Sequence, residues 1–382
     1  MMKVSNVDDI KQVISSMSLE EKVGHVCCPI LQASEIDKGI EKAVREYGAG
    51  IIRYCINGHY DIQSKLVGEP SRYLSPAKNA ELINSLQEMA LETRLGIPVL
   101  VGSVQEGGTR NDLNRDGAFV YGSHMTFGAI DDTDLTYRAA LATGREMRSL
   151  GINLVQAPIT DVISFNGHRT IRAASFGETT EIVVRHAKAM QKGFKDGGLA
   201  TMIKHFPGYG ATAVDAHKGL ARIEKSPQEL DDHDFVPLRE LFAAGADGVM
   251  TGHVIIKSLD NSETPATLSA KIIKGILREK WNFDGVVETD AMRMPGIQKK
   301  YGTKEAAVMA IQAGCDAVLF RGDFDHFREG YDAILDAAKE GAILESDLDE
   351  SVRRLMTLKL KLNLFADPLV DPAKADSIIG CA

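Results

Sequence analysis

The sequence is poor in cysteine, and its five cysteines lack the spacing of a metal site. No C-x-x-C pair occurs among them, and the ten histidines include no H-E-x-x-H motif. We therefore expect neither a metal ion nor a cofactor. An odd number of cysteines without a pairing pattern predicts reduced thiols, as in cytoplasmic proteins.

Long apolar runs and basic runs are also missing. Residues 1–22 are polar and contain no stretch that could serve as a signal peptide, and no later segment reaches the length that spans a membrane. Acidic residues outnumber basic ones, 53 against 44, and lysine and arginine form no cluster typical of nucleic-acid binding. We expect a cytoplasmic protein without nucleic-acid or membrane partners.

What the sequence does contain is a repeated alternation of helical and apolar segments. With 44% hydrophobic residues, the 382-residue chain can bury a sizeable core, and no Pro/Ser-rich linker divides it. Eight short apolar runs end in polar or Gly-rich residues, and enough residues follow each run for a crossover helix. The runs are Gly24–Pro29, Gly50–Cys55, Pro98–Val104, Ile152–Ile159, Ala200–His205, Gly248–His253, Gly285–Asp290 and Asp316–Arg321.

This alternation predicts a parallel sheet, because strands joined by helices must be parallel and nearly all-apolar runs suit strands covered on both faces. The helical pattern is explicit at Thr133–Leu150, Glu181–Phe194 and Lys304–Ala313. An open doubly wound sheet has the same local pattern, but eight strands and this length favour a (β/α)8 barrel of the TIM type. We expect a single α/β barrel domain over residues 1–366, followed by an extended tail over residues 367–382 that packs loosely on the surface.

Polar side chains collect where the apolar runs end. The carboxyl ends of barrel strands converge on one mouth, so strand-end polar residues are the candidates for a functional site. They are Gln105, Glu106, Asp161, Lys204, His205, His253, Asp290, Arg321 and Asp323.

The densest polar stretch, residues 203–218, joins a Lys-His pair at a strand end to a Gly-rich loop. In that loop Asp215 stands two residues before His217, where its carboxylate can accept the ring N–H and orient the imidazole for general acid/base catalysis. The alternative is an exposed loop histidine beside a turn-forming aspartate. The G-x-G-x-x-A pattern that begins at Gly208 also matches a dinucleotide-binding fingerprint, but polar residues follow it where an amphipathic helix should begin.

A second stretch, residues 283–294, is an apolar strand that terminates in Asp290. A carboxylate at this point faces the barrel mouth. The alternative is an N-cap for the next helix, a position that aspartate often occupies. Glu288 lies two residues earlier, on the same side of the strand.

At these residues the sequence resembles glycoside hydrolase family 3, and within it the single-domain bacterial β-N-acetylglucosaminidases. The resemblance runs along nearly the whole chain, and the K-H-F-P-G-x-G and D-x-H motifs stand at the family's spacing. The segments that carry it are Met17–Val23, Gln105–Gly108, Ala157–Asp161, Ser175–Glu178, Lys204–Gly210, Asp215–His217, Met250–His253, Thr264–Ser269, Phe283–Met292 and Lys359–Phe365.

The resemblance implies a retaining β-glycosidase that works through a covalent glycosyl-aspartate, with β-N-acetylglucosaminides as default substrates. It implies that Asp290 is the nucleophile, that His217 is the acid/base and that Asp215 is its partner. A carbohydrate is therefore the expected partner molecule. The candidates for binding it are Lys204, His205, Glu106, Arg172 and His253.

Several positions depart from the family pattern. The family has Asp before Q-E-G-G and Arg before S-F-G, both gripping the sugar, where this sequence has Val104 and Ala174. Ile56 occupies the position of a family arginine near the second strand end. Tyr209 occupies the position of the second histidine of K-H-F-P-G-H-G. Because a buried polar contact to a sugar hydroxyl contributes about 1–3 kcal/mol, we expect an altered preference among sugars. The candidates for replacement contacts are Arg110, Arg169 and Arg172.

Two other functions stay open on the same scaffold. A β-glycoside phosphorylase is possible because a neutral histidine base repels incoming phosphate less than a carboxylate would. A catalytically impaired sugar-binding barrel is favoured by the loss of sugar-gripping residues at Val104 and Ala174.

Overall fold

Eight parallel strands follow one another around a nearly closed barrel, and neighbours in space are neighbours in sequence. The computed structural model describes residues 4–32, 34–55, 74–108, 110–113, 118–164, 169–212 and 219–380. The barrel strands are β1 (Cys27–Leu31), β2 (Ile51–Tyr54), β3 (Leu100–Ser103), β4 (Leu154–Val155), β5 (Ala200–Phe206), β6 (Gly248–Thr251), β7 (Val286–Glu288) and β8 (Val318–Phe320). Each strand overlaps one of the eight predicted runs, so the predicted barrel is confirmed.

The barrel closes along the seam between β7 and β8. Ala317 N–H donates to the Val287 carbonyl at 3.1 Å, and Thr289 N–H donates to the Ala317 carbonyl at 2.9 Å. Farther up, Leu319 N–H donates to the Thr289 hydroxyl at 3.0 Å. The fully buried Asp316 accepts the Val287 N–H at 2.8 Å and so holds the lower end of the seam.

Helices cover the outside of the barrel. They are α1 (Val7–Ser16), α2 (Leu19–Val26), α3 (Lys38–Arg45), α4 (Pro76–Leu91), α5 (His124–Ile130), α6 (Thr133–Ser149), α7 (Arg169–Ala174), α8 (Thr180–Asp196), α9 (Pro227–Glu229), α10 (Phe235–Ala243), α11 (Pro295–Ala313), α12 (Phe324–Lys339), α13 (Glu345–Lys361) and α14 (Pro372–Ile378). Residues Leu230–Asp234, between α9 and α10, and Lys271–Lys280 are π-helical, and Ala266–Leu268 form a 3₁₀ turn.

The helices pack on the strands because their apolar residues share one face. In α8 the buried side chains Val183, Ala187, Met190 and Phe194 recur every three or four residues, and the Thr179 side chain caps the first turn. Among the described residues, no helix is long and apolar enough to cross a membrane.

The beginning of the chain differs from the prediction at one boundary. Gly24–Pro29 was expected to be a strand, but α2 continues to Val26 and β1 begins at Cys27. The helix starts with a capping box, in which the Ser18 side chain accepts the Glu21 N–H and the Glu21 carboxylate accepts the Ser18 N–H. This cap stabilises a helix that runs directly into the strand.

The C-terminal tail is not extended, contrary to expectation. Residues Pro372–Ile378 form α14, which packs against α4 and α6 and buries Ala375 completely. Asn84 of α4 exchanges two hydrogen bonds with the Val370 backbone, at 2.8 and 3.0 Å. The tail is therefore anchored to the outer face of the barrel.

A small parallel pair of strands lies beyond the barrel mouth. Ala221–Arg222 pairs with Val254–Ile255, which joins the loop after β5 to the loop after β6. This pairing connects the loop that contains the Gly-rich segment to the loop that contains His253.

Candidate active site

The predicted strand-end residues meet at the carboxyl ends of the barrel strands. Lys204 and His205 lie near the end of β5, where the register to β6 shifts between Lys204 and Phe206. Glu106, Asp161 and Asp290 follow β3, β4 and β7. The structure thus brings most of the predicted site residues to one mouth.

Lys204 and Glu106 form a buried ion pair, with Nζ 2.5 Å from Oε1. Arg110 Nη1 lies 3.1 Å from the other oxygen of Glu106. Burial alone would raise the pKa of Glu106, but the charges of Lys204 and Arg110 hold that pKa well below its ordinary value. Glu106 is therefore ionised at neutral pH and fixes the ammonium group of Lys204 at the end of β5.

The turn after Glu106 requires glycine. Gly107 has a φ of 80°, and a Cβ at this position would lie 2.1 Å from the carbonyl oxygen of Gly122. Tyr121 supports the same turn, since its hydroxyl donates to the Gln105 carbonyl at 2.7 Å. The Q-E-G-G motif is therefore a rigid turn that holds Glu106 in place.

Asp161 orients His205. The Nδ1 atom of His205 lies 2.8 Å from Asp161 Oδ2, and the Tyr209 N–H donates to Asp161 Oδ1 at 2.7 Å. A buried carboxylate facing Nδ1 keeps a proton on that nitrogen, so Nε2 of a neutral imidazole is the free acceptor position. Asp161 was among the strand-end residues in the sequence, but its role could be assigned only from this contact.

Asp290 presents a partly exposed carboxylate at the end of β7. Its side chain is 24% exposed, its Oδ1 accepts the Ala291 N–H at 2.7 Å, and its Oδ2 lies 4.0 Å from His205 Nε2. The following helix α11 has Met294 as its N-cap, without a side-chain capping bond, so Asp290 does not cap it. The alternative interpretation of Asp290 as a helix cap is therefore wrong.

His253 is buried in the loop after β6 and contacts the residue that follows Asp290. It is 1% exposed, its Nδ1 lies 2.9 Å from the Thr267 hydroxyl, and its Nε2 lies 3.1 Å from the Ala291 carbonyl oxygen. Both ring nitrogens thus contact protein atoms beside Asp290.

Three predicted positions cannot be placed with the others. Asp215, His217 and Ile56 lie outside the described residues. Arg172 is half-buried on α7, and the end of that helix is fixed because the Ser175 hydroxyl donates to the Asp161 carbonyl at 2.6 Å.

A carboxylate is present beside Val104 although Val104 itself has none. Asp112 Oδ2 accepts the Val104 N–H at 2.8 Å and the Ser103 hydroxyl at 3.1 Å, and it lies 2.5 Å from Arg53 Nη1. Both members of this ion pair are almost fully buried. This pair was not predicted from the sequence, although a charged residue inside an apolar strand, such as Arg53, indicates a buried countercharge elsewhere in the chain.

Glu288 lies inside the barrel, two residues before Asp290. One of its oxygens accepts a hydrogen bond from Gln156 Nε2 at 2.8 Å. Burial raises the pKa of Glu288 to about 7, although the Gln156 hydrogen bond and the charges of Arg53 and Lys204 act in the opposite direction. Within the described residues, no group of three or more His, Cys, Asp and Glu side chains is placed to hold a metal ion.

Comparison with known proteins gives a family match over most of the chain. The family model described as "Glycosyl hydrolase family 3 N terminal domain" matches residues 6–358. Beta-hexosaminidase A of Pseudoalteromonas piscicida is 32% identical over 307 residues, which make up 75% of this chain and 51% of that protein. The chain thus spans about half the length of this curated relative.

Two solved structures share the fold over nearly the whole chain. A glycoside hydrolase family 3 β-N-acetylglucosaminidase from Paenibacillus sp. str. FPU-7 is 33% identical with a TM-score of 0.84, and the match covers 95% of this chain and 68% of that one. The β-glucoside phosphorylase BglX bound to 2FGlc is 25% identical with a TM-score of 0.84, and the match covers 98% of this chain and 64% of that one.

Proposed function

Because the chain belongs to glycosyl hydrolase family 3, we propose that it is a retaining β-glycosidase with Asp290 as its nucleophile. The observation that carries the proposal is the partly exposed Asp290 carboxylate at the end of β7, 4.0 Å from His205. The His205 imidazole is itself oriented by Asp161, which keeps Nε2 directed towards the nucleophile.

The proposed reaction has two steps with inversion at the anomeric carbon in each. In the first, an oxygen of Asp290 attacks the anomeric carbon, the glycosidic bond breaks, and His217 gives a proton to the leaving oxygen. In the second, His217 removes a proton from water, which attacks the same carbon and releases Asp290 as a carboxylate. The roles of His217 and its partner Asp215 rest on the D-x-H motif of the sequence.

Lys204 and His205 are proposed to bind hydroxyls of the sugar whose bond is cleaved. The Lys204 ammonium is held by Glu106, and the His205 ring is held by Asp161, so neither group must lose much conformational entropy when the sugar binds. Glu106 acts in this arrangement by fixing Lys204.

We propose β-N-acetylglucosaminides as the first substrates to test, because relatives bear the names β-hexosaminidase and β-N-acetylglucosaminidase. The Arg53–Asp112 pair lies beside Val104 and makes this part of the barrel wall polar. A panel of aryl β-glycosides, compared by kcat/KM, ranks the sugars. If no glycoside in a broad panel reacts, the sugar-binding alternative is favoured, and thermal-shift measurements with free sugars test it.

Phosphorolysis is a second candidate function, favoured by the structural similarity to a β-glucoside phosphorylase. Both reactions would share the ester on Asp290 and differ in whether water or phosphate attacks it. Product analysis in phosphate and in phosphate-free buffer separates them, because only phosphorolysis yields a sugar 1-phosphate.

The nucleophile assignment predicts that Asp290→Asn removes nearly all turnover, since a neutral amide cannot form the glycosyl ester. The matched control is Asp323→Asn, at an aspartate that follows the neighbouring strand β8, is 68% exposed and caps α12. Asparagine caps helices as well as aspartate does, so the control variant should keep its activity and stability. Activity in Asp290→Asn close to that of the unchanged protein, with deamidation ruled out by mass spectrometry, would refute the assignment.

The four described cysteines are free thiols and buried, namely Cys27, Cys28, Cys55 and Cys315. Free thiols support the cytoplasmic location that we propose from the sequence.

A further inference from the structure

A chain of hydrogen bonds runs below the nucleophile from β6 to the loop after β7. The Thr251 hydroxyl lies 2.9 Å from the Thr267 hydroxyl, which lies 2.9 Å from His253 Nδ1. His253 Nε2 lies 3.1 Å from the carbonyl oxygen of Ala291, the residue that follows Asp290. The members are buried, so solvent does not compete for these bonds.

The chemistry of the partner fixes the direction of the bond between His253 and Ala291. A carbonyl oxygen only accepts, so Nε2 of His253 must carry the hydrogen that points to Ala291. The Thr267 hydroxyl, which has one hydrogen, lies 2.9 Å from Nδ1 of His253 and 3.1 Å from the Gly252 carbonyl oxygen. The Thr251 hydroxyl in turn donates to Thr267. The bond from Nε2 to the Ala291 carbonyl is therefore the bond of this ring whose direction the partner determines.

Ala291 connects this network to the nucleophile. Its carbonyl is held by His253, and its N–H donates to Asp290 Oδ1 at 2.7 Å. The Ala291 N–H and carbonyl belong to adjacent peptide units that meet at the Ala291 Cα, so a held carbonyl restricts where the N–H can lie. No helix cap takes over this task, since α11 begins only at Pro295.

We propose that His253 is a positioning residue that holds the Ala291 backbone, and through it the Asp290 carboxylate, in the orientation needed for attack. The proposal rests on the proposed function of Asp290 and assigns His253 a role other than the sugar contact expected from the sequence. Misplacement of a reacting group by about 1 Å can lower a rate by roughly 100-fold, so a residue that never touches the sugar can control the chemical step.

Two variants test separately the two hydrogen bonds that the His253 ring makes. In His253→Gln the side-chain amide lies near the position of Nε2 and keeps a donor for the Ala291 carbonyl. In His253→Asn the amide lies near the position of Nδ1 and keeps the Thr267 contact but loses the donor to Ala291. Both variants lose the ring, so a purely structural role of His253 predicts similar effects in the two.

His186 provides the matched control. It is also fully buried, with Nδ1 2.8 Å from the Thr136 hydroxyl and Nε2 3.2 Å from Asp131 Oδ1, but it lies on α8 in the outer helical layer. The variants His186→Gln and His186→Asn should lower the melting temperature without changing the chemical step.

The measurement is the rate at which a 5-fluoro glycosyl fluoride forms the ester on Asp290, followed by intact-protein mass spectrometry, together with kcat and KM on the best aryl glycoside. We expect the trapping rate and kcat to fall roughly 10- to 100-fold in His253→Asn and less than about 5-fold in His253→Gln, with KM nearly constant. Equal effects in the two variants, or a rise in KM without loss of kcat, would overturn the positioning role. If the unchanged protein forms no adduct and Asp290→Asn keeps its activity, the proposed function fails instead.

Discussion

Two buried glutamates of the barrel show that the partner of a carboxyl group decides its charge. Glu106 is paired with Lys204 and stays ionised, with a pKa well below its ordinary value, whereas burial raises the pKa of Glu288 to about 7. The charges of Arg53 and Lys204 also act on Glu288. However, Arg53 forms an ion pair with Asp112, and Lys204 forms one with Glu106. Among the described residues, Glu288 inside the barrel therefore forms no ion pair with a cation.

This imbalance predicts a pH-dependent gain in stability for Glu288→Gln. The pKa of Glu288 rises on folding from 4.5 to about 7. The free energy of unfolding of the unchanged protein therefore falls progressively, relative to that of the variant, as pH rises from 4.5 to about 7. The full penalty amounts to about 3 kcal/mol, since one pKa unit corresponds to about 1.4 kcal/mol. Urea unfolding at several pH values should show the two proteins diverging over this interval and a constant difference above it.

The variant keeps the hydrogen bond from Gln156, because a glutamine oxygen also accepts. The exposed Glu279 provides the control for the loss of one surface charge. The prediction would be contradicted if the free energies of unfolding of Glu288→Gln and the unchanged protein differed by the same amount at pH 4 and pH 8.

At the residue scale, the sequence indicated which side chains belong to the candidate site but not which residues they contact. Lys204, His205, Glu106 and Asp290 were predictable because polar residues at strand ends converge on a barrel mouth. The contact between Asp161 and His205 joins residues 44 positions apart, and the contact between Arg53 and Asp112 joins β2 to a loop. Such long-range pairs depend on the packed barrel and leave no periodic signal in the sequence.

At the element scale, prediction succeeded where a pattern spans many residues and failed at the ends of the chain. Thr133–Leu150 was predicted as a helix from its apolar spacing, and α6 covers Thr133–Ser149. The tail was expected to be extended because it contains Pro368 and Pro372 and few large apolar residues. Pro372 instead occupies the first turn of α14 behind the N-cap Asp371, a position in which proline favours a helix. The boundary at residue 366 stays a prediction.

Helix α14 predicts a contrast between two alanines of one helix. Ala375 is fully buried against the barrel, whereas Ala373 is exposed near the helix start. Ala375→Asp places a carboxylate in an apolar contact and should destabilise the fold by about 2 kcal/mol or more. Ala373→Asp should change stability by less than about 0.5 kcal/mol. Thermal unfolding of both variants is the measurement, and equal melting temperatures would mean that the tail does not contribute to the stability of the barrel.

At the scale of the whole molecule, Asp316 connects the barrel seam to the outer helices. Its Oδ2 accepts the Val287 N–H and lies 2.5 Å from Arg278, while its Oδ1 accepts the Ser351 hydroxyl and lies 3.0 Å from Arg354. Arg354 and Ser351 belong to α13, so one carboxylate joins β7, β8 and the last long helix.

We predict that Asp316→Asn destabilises the protein by about 3–5 kcal/mol, because Arg278 then loses its buried countercharge and Arg354 keeps only the exposed carboxylates of Asp284 and Glu350. The comparison is Asp325→Asn, which breaks a pair with Arg328 in which the aspartate is 81% exposed. Pairs of that kind contribute about 0–1 kcal/mol. Urea unfolding with matched m-values measures both differences, and similar values for the two variants would contradict the role of Asp316 in closing the barrel.

The use of the Thr289 hydroxyl as acceptor for the Leu319 N–H has a kinetic consequence. A backbone carbonyl cannot leave its ladder unless the strand moves, but a hydroxyl is released by rotation about a single bond. The Leu319 amide can therefore exchange with deuterium through a small local opening, without separation of β7 from β8. Thr289 immediately precedes Asp290, so the exchange rate of this one amide reports fluctuations beside the nucleophile in the absence of any substrate.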